Sequence, residues 1–185
     1  MMWFFLISGA LIAIPLMIEL TRAPMSSAER GTATGQFAQL SQGVTHYEWF
    51  GPKRGPIVVC IHGLTTPSVV WGSLSKGLAL MGYRVLTYDL YGRGYSDRPR
   101  GKQNEAFFIQ QLNDLLHHED ITGTFSIIGY SMGGAIASIF AATHPDRIGQ
   151  LILLAPARMK INSGKLAKLV AKTPILGDRL MLAFY

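Results

Sequence analysis

The pentapeptide Gly129-Tyr130-Ser131-Met132-Gly133 constrains this chain more than any other stretch. It follows a short apolar run, Phe125-Ser-Ile-Ile128, which reads as a strand. It runs into Met132 to Thr143, which reads as a helix. A chain that passes from strand to helix in so few residues must turn sharply. Glycine at both flanks avoids a collision of side chains with neighbouring backbone. Such a turn pushes the Ser131 hydroxyl above the sheet and beside a helix N-terminus, where the dipole favours developing negative charge. A serine here could also be a plain helix N-cap. The strand before it and the helix after it favour an exposed nucleophile instead.

The alternation continues on either side. Val44 to Phe50 reads as a strand, and Gly51-Pro52 with Gly55-Pro56 marks a turn. Ile57-Val-Val-Cys-Ile61 is a continuous run, as expected of a strand buried on both faces. A helix is predicted over Pro67 to Met81, ending at Gly82, then a strand over Tyr83 to Tyr88. Asn104 to His118 spaces Phe107, Phe108, Leu112, Leu115 and Leu116 as a helix would, and Gln150 to Leu154 reads as a further strand. The pattern predicts an α/β fold, a mostly parallel sheet flanked by helices. Chemistry in such sheets lies at the carboxyl ends of the strands. Three loops there carry unusual residues: His62-Gly63-Leu64, Asp89 to Asp97, and Gly129 to Gly134.

These loops, in this order between Val44 and Pro156, resemble the α/β-hydrolase fold superfamily. His62-Gly63 is similar to its H-G dipeptide, and Asp89-Leu-Tyr-Gly-Arg-Gly-Tyr-Ser-Asp97 to its D-x-x-G-x-G-x-S loop. Gly63-Leu-Thr-Thr-Pro-Ser-Val-Val-Trp71 resembles the esterase and lipase members. The resemblance implies a nucleophile at Ser131, an oxyanion hole from the backbone N–H groups of Leu64 and Met132, and structural elbow glycines at Gly129 and Gly133. It makes His62 and the Asp89 to Asp97 loop scaffold. A serine nucleophile, not an aspartate, argues against the haloalkane dehalogenase and epoxide hydrolase branches. The implied activity is hydrolysis of a carboxylic ester or related acyl substrate, small or lipid-like, through an acyl-enzyme at Ser131.

A serine hydroxyl needs a base, and in this fold the partners follow in the order Ser, then Asp or Glu, then His. After Ser131 the chain offers His144, Asp146 and Asp178. His144 falls about 18 Å from Ser131 along the intervening helix, so His144-Pro-Asp-Arg147 reads as a helix stop. The expectation is a chain carrying the N-terminal half of the fold, its C-terminal half missing. The alternative is a catalytically silent homologue or binding module without the triad acid and His.

Residues 158–185 contain Arg158, Lys160, Lys165, Lys168, Lys172 and Arg179 against Asp178, so +5 of the net +6 lies there. This stretch reads as the start of a cap or lid, or as a membrane-surface helix. With +1 on the remainder, the charge does not indicate nucleic-acid binding. Met1 to Ile18 has no charged side chain. As a helix it would be roughly 27 Å long, against about 30 Å for a bilayer core. Residues 1–20 are therefore read as a transmembrane anchor or a signal segment. Arg22 and Arg30 favour a cytoplasmic main domain. Cleavage near Ser26-Ser27-Ala28 would give a secreted or periplasmic one. Residues 21–42 read as a linker, and 43–157 as the hydrolase core. The lone Cys60 reads as a core residue. No metal cluster, P-loop or dinucleotide motif occurs, so no cofactor and no metal are expected.

Overall fold

The computed structural model describes residues 25–157, together with Ala13, Ile14 and Met17. The stretches 1–20, apart from those three residues, and 158–185 lie outside the described residues, and so do the anchor and cap readings placed on them. Among the described residues no helix is long and apolar enough to cross a membrane.

Among the described residues six strands form one sheet: β1 (Gln36–Leu40), β2 (Gly43–Phe50), β3 (Ile57–Ile61), β4 (Arg84–Tyr88), β5 (Phe125–Tyr130) and β6 (Ile148–Leu154). Their spatial order is β1-β2-β4-β3-β5-β6. Pairings β1–β2 and β2–β4 are antiparallel, and β4–β3, β3–β5 and β5–β6 are parallel. The helices are α1 (Ser27–Arg30), α2 (Gly72–Leu80), α3 (Glu105–His118) and α4 (Met132–Thr143). A 3-10 turn at Ser68–Trp71 occupies the start of the helix predicted from Pro67.

The period-2 alternation of β3 divides the core. Val59 and Ile61 join Leu86, Tyr88 and Ile127 under α3 and α4, where Leu112, Leu115, Ile136 and Phe140 pack. Val58 and Cys60 face the other way, with Val85, Ile128 and Trp71. Cys60 is fully buried, and burial pushes its thiol up to about 12, so it stays protonated and inert. Asn104 caps α3, its Oδ1 accepting the Phe107 N–H at 3.1 Å.

The linker reading of 21–42 is corrected. Within it Ser26 and Glu29 close a capping box around α1, and Gln36–Leu40 forms edge strand β1. Ala38 and Leu40 point into the core while Phe37 stays half-buried on the opposite face. The stretch hides its alternation because only two of the five strand positions, Phe37 and Leu40, carry a large apolar side chain. Pairing with β2, not local propensity, makes it a strand.

Chain order reverses around β3: its sequence successor β4 lies on one side and β5 on the other. Loops leaving β3 and β5 therefore diverge over a crevice at the carboxyl ends of the strands.

Candidate active site

Ser131 sits in that crevice, between β5 and α4, with φ 51° and ψ −117°. A non-glycine residue rarely adopts this conformation, and holding it costs about 1–3 kcal/mol. The surroundings impose it. Ser131 N–H donates to Leu154 O at 3.0 Å, and Ser131 O accepts from Gly134 N–H at 3.0 Å and Ala157 N–H at 2.9 Å. The end of β6 thus grips the turn on one side and the first turn of α4 on the other.

The predicted elbow glycines are required by close approach. A Cβ on Gly129 would stand 2.4 Å from Gly133 O, and one on Gly133 would stand 2.1 Å from Ile61 O. Helix α4 therefore starts against the backbone of β3, which brings the His62-Gly63-Leu64 loop beside the elbow. Gly63 abuts the serine so closely that a Cβ on it would lie 3.2 Å from Ser131 Cβ. Leu64 follows directly, exposed at the mouth of the crevice. Neither the Leu64 nor the Met132 N–H donates a hydrogen bond among the described residues. Two unengaged amides thus flank the Ser131 side chain.

His62 is fully buried and both its ring nitrogens are engaged. Nε2 accepts the Leu90 N–H at 2.8 Å, so the proton sits on Nδ1, which donates to Gly63 O at 2.7 Å. Burial pushes its pKa down and keeps it neutral. It is a brace, as expected, and not a base. His46 is paired with Asp89, and His144 stacks on Phe140 and bonds Thr143 Oγ1. His144, His117 and His118 lie at helix ends that feed into the amino ends of strands, away from the crevice. Among the described residues no histidine reaches Ser131.

The Asp89 to Asp97 loop is held by a network that sequence reasoning missed. Asp89 accepts from His46 Nδ1 at 2.8 Å, Ser68 N–H at 2.8 Å and Tyr95 N–H at 3.0 Å. Burial raises its pKa, but these bonds outweigh burial and hold it below the ordinary value. The Nε2 of His46 faces Thr34 O at 2.6 Å. With acceptors at both nitrogens, His46 donates from both and is an imidazolium. Burial lowers its pKa, and the Asp89 and Thr34 contacts more than reverse that. Gln111 also lies buried here, donating to Thr45 Oγ1 and Asp89 O and accepting the Tyr91 N–H. A polar residue inside the apolar stripe of α3 was the available signal for it. Beside the elbow a groove of about 430 Å³ is lined by Gln103, Asn104, Phe108, Met132, Ala135 and Ile139, among others.

The family model described as alpha/beta hydrolase fold matches residues 56–174, well over half of the chain. The chain belongs to the α/β-hydrolase family. This α/β hydrolase is 36% identical over 100 residues to an uncharacterized protein of Mycobacterium tuberculosis, covering 54% of this chain and 29% of that one. It is 34% identical over 111 residues to the pimeloyl-(acyl-carrier protein) methyl ester esterase of Aliivibrio salmonicida, covering 60% and 41%. Among solved structures it resembles a carboxylesterase of Nitrososphaera gargenis, with TM-score 0.65, 28% identity, and 75% and 50% of the two chains covered. The chain spans less than half the length of these curated relatives.

Proposed function

We propose that this α/β hydrolase cleaves a carboxylic ester or related acyl substrate through an acyl-enzyme at Ser131. The observation that carries the reading is the strained φ of 51° at Ser131, held beside two unengaged amides. Strain of this kind collects at functional sites. The Ser131 oxygen attacks the carbonyl carbon, and the N–H groups of Leu64 and Met132 take the resulting oxyanion. The alcohol leaves with the serine proton. Water then cleaves the acyl–serine bond and regenerates the hydroxyl. Base and acid come from residues outside 25–157. Likeness to a methyl ester esterase and a carboxylesterase supports an ester as the scissile group. The apolar groove beside Met132 lies within the roughly 300–1,000 Å³ of small-molecule pockets, which supports a small or lipid-like acyl substrate.

A fluorophosphonate probe, applied to the chain in its natural full length because the five histidines of this sequence all lie within residues 46–144, tests the assignment. Covalent labelling of the protein is expected, and its loss in Ser131→Ala. Labelling that survives Ser131→Ala would sink the nucleophile. A second reading, a silent homologue or binding module, is favoured by the lack of any histidine near Ser131 among the described residues. Wild-type protein that never labels would decide for it.

The uncharged stretch Met1 to Ile18 supports a further placement, with the domain held at a membrane on its cytoplasmic side. Retention in the membrane pellet after carbonate washing is the expected result. Recovery of a shortened, soluble chain would favour cleavage and secretion.

A further inference from the structure

The Leu64 amide lies in a loop without regular structure, whereas the Met132 amide is fixed by α4. Two contacts from the turn after β4 reach that loop, one on each side of the amide. On the first side Leu90 N–H anchors His62, whose Nδ1 donates to Gly63 O at 2.7 Å. In a trans peptide the N–H points opposite to the C=O, so this bond sets the direction of the Leu64 N–H. On the second side Arg93 Nε donates to Leu64 O at 3.0 Å and fixes the next peptide plane. With both planes held, the two contacts together restrain φ and ψ of Leu64. Arg93 is itself held, its Nη1 donating to Tyr91 O at 2.8 Å and Gln103 Oε1 at 3.0 Å. Its Cζ lies 5.9 Å from the Phe108 ring centre.

We infer that Arg93 is a positioning residue for the oxyanion donor. It touches no reacting atom and acts through the Leu64 carbonyl. The inference rests on the proposed role of Ser131 and its two amides. A guanidinium suits the task because its rigid planar fork serves three acceptors from one position. A lysine ammonium is a compact point charge on a flexible stem and cannot span them.

Backbone ¹⁵N relaxation on the full 185-residue chain separates positioning from general support. In the parent both amides are expected near the rigid value of about 0.85. In Arg93→Ala the order parameter of Thr65, whose N–H shares the peptide plane of the Leu64 carbonyl, is expected to fall most, with a smaller measurable fall at Leu64 and Met132 unchanged. Arg93→Lys should lie between, and it carries the same comparison if Arg93→Ala does not fold. The fluorophosphonate labelling rate should fall about tenfold in Arg93→Ala, less than the roughly 10²–10³ for complete loss of a donor. An unchanged Leu64 amide overturns the inference, and so does equal loosening of Leu64 and Met132. Parent protein that never labels overturns the proposed function alone, since the amide comparison still decides the role of Arg93.

Discussion

Ser131 concentrates two demands on one residue. Its hydroxyl must stand clear of the sheet, and its backbone must accept φ 51° to put it there. Glycine would meet the second demand without strain. Ser131→Gly should therefore relieve about 1–3 kcal/mol, less about 0.5–1 kcal/mol for the greater freedom of glycine in the unfolded chain. The expected outcome is a net gain of about 1 kcal/mol, read as a higher midpoint in urea, together with loss of labelling. A destabilised Ser131→Gly protein would show that the turn is relaxed. The residue type and its glycine neighbours were legible in the sequence. The bonds from Leu154 and Ala157 that hold the turn were not, because they come from a strand whose register no local pattern specifies.

At the scale of elements, the His46–Asp89 pair ties together four segments: β2, the end of β4, the turn at Ser68 and the strand entry at Thr34. It also gives the fold a pH dependence. His46 has a pKa raised above 6.5, so its contribution is complete below 6.5 and is lost as pH climbs through the raised value. Asp89 has a pKa lowered below 3.8, so its contribution is complete above 3.8 and is lost as pH falls through the lowered value. Together they favour a stability maximum between pH 3.8 and 6.5. On the alkaline side a neutral His46 turns a lone pair toward Thr34 O, which should loosen β1. Urea midpoints across pH should show both limbs, and His46→Gln should flatten the alkaline one. Asp89→Ala would leave a buried imidazolium unpaired and should cost about 3–5 kcal/mol. A pH profile unchanged in His46→Gln would refute the pair's role.

At the scale of the whole molecule, β6 is the end strand of the sheet among the described residues, with Leu151, Ile152, Leu153 and Leu154 each about 40% exposed. Side chains on both faces of an end strand are thus open, and such an edge is a template for another strand. Concentration-dependent self-association of the chain is the expected behaviour, measured by light scattering after size exclusion. Ile152→Lys should reduce it, and a monodisperse parent at high concentration would contradict it. The sequence by itself determined the alternation of strands and helices, the elbow, the His62-Gly63 loop and the family. Those signals are local: periodicity, glycine spacing and short runs of fixed order. Tertiary structure alone decided that Gln36–Leu40 is a strand, that His46 is charged, and that Arg93 reaches Leu64. Each depends on a partner far along the chain, and the spacing of neighbouring residues carries no record of which distant group a side chain will meet.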